Sequence, residues 1–160
     1  NIARGIKAYL EQTLWHDGTL YRAIANDEPL GVIALADYAY LARALLDFSH
    51  WSQDSADFRL ATEVAKAGWR DFRVANGWRR EPGGTLTESG LHEIFSDDSL
   101  PAPDAVLAKV SLELARAGAD PALSHWARAM LDRAYDAMAQ SPFSHASRLA
   151  ALALAVSNGR

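Results

Sequence analysis

The sequence predicts an all-α fold of repeated helical hairpins, in one domain that spans residues 1–160. Three observations predict it. Apolar residues recur at helical spacing in six segments, and a pair of helices that begins at Asp37 recurs from Asp104. Helices that are apolar on most sides also alternate with amphipathic ones. A chain of 160 residues, 49% of them hydrophobic, is long enough to bury a core of its own.

The first half of the chain contains three predicted helices, at 3–14, 31–51 and 56–75. Asp17-Gly18 is a turn signal after the first helix. We expect Asn26 to Pro29 to supply the cap and the first-turn proline of the second helix. The second helix is apolar around most of its circumference from Asp37 to Phe48, which predicts burial on nearly all sides. The third helix has one apolar face and is expected to be amphipathic.

Helical periodicity stops between 76 and 103, where glycines and prolines predict turns and short extended pieces. An irregular segment of this length is typical of a functional loop. Three more helices are predicted beyond it, at 104–117, 122–140 and 143–157. The first and the last of these have the buried pattern, and the middle one is amphipathic.

This alternation of buried and amphipathic helices predicts two concentric layers. The connections 15–30 and 76–103 both lead from an amphipathic helix to a buried one, so we expect them at the same end of the hairpins. An α/α toroid and an α-solenoid both have such a repeat, but the tetratricopeptide signature is absent, which favours the toroid. Six helices would form about half of such a ring. We therefore expect a fragment of a longer chain that self-associates through exposed apolar edges.

Composition argues against several kinds of function. The absence of cysteine excludes disulfides, thiolate nucleophiles and cysteine zinc sites, and it indicates a reducing, cytoplasmic location. A net charge of −4 with mixed signs argues against a nucleic-acid partner. No apolar run is long enough to predict a membrane span. The five histidines lack metal-ligand spacing and no Gly-rich phosphate loop is present, so we expect neither a metal nor a cofactor.

Three motifs resemble one known family. The first is Leu35-Ala36-Asp37-Tyr38-Ala39-Tyr40-Leu41 with the following Ala44-Leu45-Leu46-Asp47-Phe48. The others are Asp17-Gly18-Thr19-Leu20-Tyr21-Arg22 and the segment 97–106. Together they are similar to the C-terminal helical region of the thioredoxin-domain-containing protein family, over most of the chain.

The resemblance implies an α/α toroid of the six-hairpin glycosidase type, shared with N-acylglucosamine 2-epimerases. It also implies a thioredoxin-like domain attached before residue 1 and a carbohydrate ligand, bound or processed in an epimerase-like or glycosidase-like way. Ala36 and residues 102–105 depart from the family pattern by replacing polar groups. These departures favour the alternative, a non-catalytic protein-interaction or regulatory module.

Candidate site residues lie at the end where the long connections are expected. Asp37 and Asp97 are the candidate catalytic residues, since glycoside hydrolysis uses two carboxylates. Six residues are candidates for substrate binding: Trp15, Arg22, Tyr38, Trp78, His92 and Asp98. The alternative for Asp37 and Tyr38 is a structural role, with the carboxylate paired and the phenol packed. The alternative for Asp97 and Asp98 is turn and cap chemistry, and His92 is either a general base or a solvated loop residue.

Overall fold

The computed structural model describes residues 2–75, 77–79, 82, 91–92 and 95–157, and this part of the chain is predominantly helical. It contains seven α-helices: α1 (Ile2–Tyr9), α2 (Leu35–Ser52), α3 (Ser55–Phe72), α4 (Pro103–Arg116), α5 (Ala122–Arg133), α6 (Tyr135–Gln140) and α7 (Ala146–Ser157). A π-helical turn, Leu10–Leu14, extends α1, and a 3₁₀ turn, Pro142–His145, precedes α7. The predicted all-α character is confirmed. None of the described helices is long and apolar enough to cross a membrane.

Short strands occupy the connections. They are β1 (Trp15–His16), β2 (Thr19–Leu20), β3 (Ala23–Ala25), β4 (Glu28–Leu30), β5 (Arg73–Val74), β6 (Gly77–Arg79) and β7 (Leu91–His92). β1–β2 and β3–β4 are antiparallel hairpins, and β5, β6 and β7 form an antiparallel sheet in that order. Asp17-Gly18 forms the turn of β1–β2, as the sequence predicts.

The segment before α2 differs from the prediction. Asn26 and Asp27 have left-handed φ angles of 53° and 64° and form the turn of β3–β4, in which Pro29 pairs with Ile24. Asn and Asp tolerate positive φ, and two such residues in succession are typical of a tight hairpin turn. The expected helix cap at Asn26 to Pro29 is therefore wrong, and α2 begins at Leu35 rather than near 31.

The helices pack in two rows. α4 lies beside α2 and α7, and these three helices form the first row. α3 packs on α2 and α5 packs on α4, so each hairpin contributes one helix to the second row. α4 also contacts α3, which places it at the centre of the described helices. The helix predicted over 122–140 is interrupted at Ala134, which separates α5 from α6.

α2 is less buried than its composition predicts. Its buried residues lie along one side, and Ala44, Asp47 and Trp51 are exposed. α3 buries more of its residues than α2, because it lies against α2, α4, β5 and β6. The expectation that α2 is buried on nearly all sides is therefore wrong. The amphipathic pattern expected of α3 is confirmed, because its charged residues Arg59, Glu63 and Lys66 are exposed while most of its apolar side chains are buried.

Gly68 lies where α3 crosses α2 and α4. A Cβ at Gly68 would lie 3.2 Å from the Cβ of Tyr38 and 3.4 Å from the Cδ2 of Leu107. Because the α2 backbone fixes the Tyr38 Cβ, Gly68→Val is expected to lower the free energy of unfolding by about 1–3 kcal/mol, measured by urea denaturation. Gly5→Val is the matched control, since nothing lies within 4 Å of a Cβ at Gly5. Equal effects of the two substitutions would contradict the close crossing.

Candidate functional site

The described parts of both long connections meet at the end of the hairpins where α2 and α4 begin, hereafter the loop end. Near the start of α2, the Tyr38 hydroxyl accepts a hydrogen bond from the Leu20 N–H at 3.0 Å and donates one to the Asp71 carboxylate at 3.2 Å. Two residues later, the Tyr40 hydroxyl donates to the carbonyl oxygen of Pro101 at 2.5 Å, just before α4. The arrangement at one end agrees with the prediction from the connection pattern.

A cavity of about 400 Å³ opens beside the start of α2, and we name it the loop-end cavity. Its polar side chains are Tyr21, Arg22, Asp37 and Tyr40. Its remaining lining is apolar: Leu10, Leu14, Leu20, Ile33, Ala36, Leu41 and Leu100. The volume falls within the range of small-molecule sites, which combine an apolar lining with a few polar groups.

Asp37 borders the loop-end cavity and also caps α2. Its Oδ2 accepts a hydrogen bond from the Ala34 N–H at 2.8 Å. This bond satisfies one of the N–H groups that have no partner within the helix at its start. Asp37 therefore has a structural role, as the cap of α2, and it also lines the cavity.

Tyr38 is fully buried and does not line the cavity. Its ring packs edge-on against Trp15 and Phe72. Burial raises the pKa of Tyr38 to about 12 and the Asp71 carboxylate acts in the same direction, although the bond from the Leu20 N–H opposes them. The phenol therefore stays protonated at neutral pH and links β2 to the end of α3.

Asp97 connects the segment before α4 to α7. Its carboxylate accepts hydrogen bonds from the Ala102 N–H at 2.7 Å, from the Ser147 N–H at 2.8 Å and from the Ser147 hydroxyl. Burial opposes ionisation, but these bonds and the nearby Arg148 charge outweigh it and lower the pKa of Asp97. Asp97 does not line the loop-end cavity, which therefore contains one of the two predicted catalytic carboxylates. Asp98 is exposed.

Asp97→Asn is expected to lower the free energy of unfolding at pH 7 by about 2 kcal/mol, because three hydrogen bonds lose their charged acceptor. Folding lowers the pKa of Asp97. The stability that its charge contributes is therefore fully present above the ordinary Asp pKa of about 4, and it is lost as the pH falls through the pKa of Asp97 in the folded protein. The difference between the wild type and the variant should therefore shrink below about pH 4 in urea titrations. Asp98→Asn, at the exposed neighbour, is the matched control. A difference that stays constant with pH would contradict the role of the charge.

The other predicted binding residues do not share one surface. Arg22 lines the loop-end cavity, and its Nη1 donates to the Val32 carbonyl oxygen at 3.3 Å. Trp15 lines a different groove, beside α3. Trp78 is 2% exposed and packs against Trp69, so its ring faces are not open to a ligand. The backbone of His92 pairs with Trp78 in the sheet, and its side chain lies outside the described part of the chain.

A buried ionic cluster between α4 and α7 was not predicted from the sequence. Arg148 is fully buried, its Nη2 donates to the Asp104 carboxylate at 2.7 Å, and its Nη1 lies 2.7 Å from the Nδ1 of His145. Because a guanidinium only donates, His145 Nδ1 accepts this bond, which assigns the ring hydrogen to Nε2. Burial raises the pKa of Asp104, and the Arg148 charge partly offsets the rise. Arg148 is the one charged residue in the apolar stretch 146–157, and this was the signal that could have indicated the cluster.

Neither metal ligands nor a family match identifies the site. Among the residues that the structure describes, no group of three or more His, Asp or Glu residues is arranged to hold a metal ion. No model of a known protein family matches the sequence, and no curated protein matches it either. The functional proposal therefore depends on the packing of the helices and on the geometry of the loop end.

Proposed function

We propose that the chain forms part of an α/α-toroid domain of the thioredoxin-domain-containing type, and that its loop end binds a carbohydrate. The observation that carries the proposal is the two-row packing, with α2, α4 and α7 in one row and the hairpin partners α3 and α5 in the other. Two layers of this kind are what the sequence repeat predicts for a toroid. The motif at 35–48 supports the same family, in which a thioredoxin-like domain would be the attached partner.

The loop-end cavity is the binding site in this proposal. Arg22, Asp37 and the two tyrosine hydroxyls can exchange hydrogen bonds with sugar hydroxyls, and the leucine side chains can contact the apolar face of a sugar ring. Binding without turnover is favoured because Asp37 caps a helix and the carboxylate of Asp97 is occupied by bonds to Ala102 and Ser147.

Calorimetric titration with a panel of neutral monosaccharides and disaccharides tests the proposal. Saturable binding to the wild type is expected, and Arg22→Ala should weaken it about tenfold by removing one charged hydrogen-bond donor. Arg59→Ala, at an exposed arginine of α3, is the matched control and should leave the affinity unchanged. Absence of saturable binding to every sugar would contradict the proposal. Product formation that is abolished by Asp37→Asn would instead establish catalysis.

The second candidate is a non-catalytic protein-interaction module, and the exposed apolar side chains favour it. On α7, Leu149, Leu152 and Val156 line an open groove of about 600 Å³. On α1, Ile2 and Ile6 are 83% and 56% exposed. Exposed apolar side chains that group on one helix, as on α7, are typical of protein contacts.

Self-association through these apolar faces is the expected result for the isolated chain. Light scattering should show a mass that rises with concentration toward at least twice the 17.4 kDa of the chain. Val156→Lys should lower the association, because it places a charge on the apolar face of α7, whereas Lys109→Glu at an exposed position of α4 should not. A mass of one chain at every concentration would contradict this expectation.

A further inference from the structure

A second groove, of about 450 Å³, lies between α3, α5 and the β1–β2 turn, and we name it the tryptophan groove. Its aromatic members are Trp15 and Trp126, and its charged members are Glu63, Lys66 and Arg70. It shares no lining residue with the loop-end cavity. The two sites can therefore be tested separately.

Both indole rings of the tryptophan groove pack against neighbouring side chains that do not line the groove. Trp15 packs edge-on against the buried ring of Tyr38, with 6.5 Å between ring centroids. The Arg73 guanidinium lies 5.0 Å from the centroid of the Trp126 ring, and Trp69 packs at 6.1 Å from the same ring. Rings that are already fixed lose little freedom when a ligand binds, which favours affinity.

The two cationic side chains of the groove are also oriented before any ligand arrives. Lys66 donates to the Asp120 carboxylate at 2.7 Å. Arg70 binds the Asp71 carboxylate through two nitrogens and donates to the Gly18 carbonyl oxygen at 2.8 Å. Because each cation already has a carboxylate partner and Glu63 adds a further negative charge, the groove has no excess of positive charge. This balance disfavours a strongly charged ligand and suits hydroxyl groups, which both donate and accept hydrogen bonds.

We propose that the tryptophan groove binds a neutral sugar ring, with Trp15 and Trp126 contacting its C–H faces and Glu63, Lys66 and Arg70 bonding its hydroxyls. Indole rings provide large apolar contact areas, and the mixed charges of the rim provide both donors and acceptors. The groove volume lies in the range of small-molecule sites. This site is additional to the loop-end cavity and does not depend on ligand binding there.

Indole N–H signals in NMR spectra report on this groove directly. The wild type is titrated with methyl glucoside, N-acetylglucosamine and, as a charged comparison, glucuronate. Saturable shifts of the Trp15 and Trp126 signals by a neutral sugar are expected, with weaker binding of glucuronate. The signals of Trp69 and Trp78, which are buried, should move less.

Four variants test whether the sugar binds in the tryptophan groove. Trp15→Leu and Glu63→Ala, followed at the Trp126 signal, should each weaken binding about tenfold. Trp51→Leu removes a tryptophan that is 57% exposed outside the groove and should change nothing. Arg22→Ala tests the loop-end cavity and should leave the Trp126 shifts intact.

The proposal is overturned if neither neutral sugar produces a saturable shift of the Trp15 and Trp126 signals. It is equally overturned by shifts that Trp15→Leu and Glu63→Ala leave unchanged. A folding failure of Trp15→Leu leaves Glu63→Ala, on the protein surface, as the deciding variant.

Discussion

Arg148→Met is expected to lower the free energy of unfolding by about 3–5 kcal/mol, which is among the largest effects of any single substitution in this protein. The reason is the carboxylate that it leaves behind. Asp104 is 1% exposed, and Arg148 is its buried counter-ion at 2.7 Å. Methionine keeps much of the side-chain volume, so the loss reports on the unpaired charge rather than on a cavity.

A double variant makes the test for Arg148 specific. Replacing both partners by apolar residues, Arg148→Met with Asp104→Leu, should recover more than half of the loss, because no buried charge remains without a partner. Lys66→Met breaks the exposed pair with Asp120 and should have little effect. Urea denaturation followed by circular dichroism measures all three. A small effect of Arg148→Met alone would show that the buried pair contributes little.

Trp69→Ala is expected to lower the free energy of unfolding by about 3–5 kcal/mol, the usual range for removing a buried aromatic side chain. Trp69 is 1% exposed and packs between Trp78 and Trp126, at centroid distances of 5.1 and 6.1 Å. Its Nε1 donates to the Ser111 hydroxyl on α4 at 2.8 Å. The substitution therefore removes core volume and a buried hydrogen bond at the same time.

Two further variants separate the packing of Trp69 from its hydrogen bond. Ser111→Ala leaves the indole N–H without its acceptor and should cost about 1–3 kcal/mol. Trp69→Phe combined with Ser111→Ala should cost less than the sum of the single changes, because the bond can be lost only once. Trp51→Ala, at an exposed tryptophan of α2, is the matched control for the aromatic side chain. Equal losses for Trp51→Ala and Trp69→Ala would contradict the central position of Trp69.

Helical periodicity was sufficient to predict where most of the helices lie, because it depends on local sequence. The segments 56–75 and 104–117 correspond closely to α3 and α4. The start of α2 could not be predicted in the same way, since Asn26 to Pro29 carries the signals both of a helix cap and of a hairpin turn. The extent of burial on α2 also depends on tertiary neighbours, which residue type alone does not specify.

The candidate site was predicted less completely than the fold, for a related reason. Asp37 and Arg22 line the same cavity. Their closeness could be predicted, because the connection pattern indicates which segments lie at the loop end. Asp97 is bound by Ser147, fifty positions away in the sequence, and no local pattern indicates such a contact. Likewise, Trp78 has the sequence context of a loop residue but is covered by Trp69.

The central position of α4 has a consequence for how the protein unfolds. In an array whose hairpins contact only their neighbours at the edges, the terminal units can open one at a time. Here α4 contacts α2, α3, α5 and α7. Separating the α2–α3 hairpin, or α7, from the rest therefore exposes apolar residues of α4. Amide hydrogens of α4 should therefore exchange only through global unfolding, whereas those of α1, which buries no residue, should exchange through local opening.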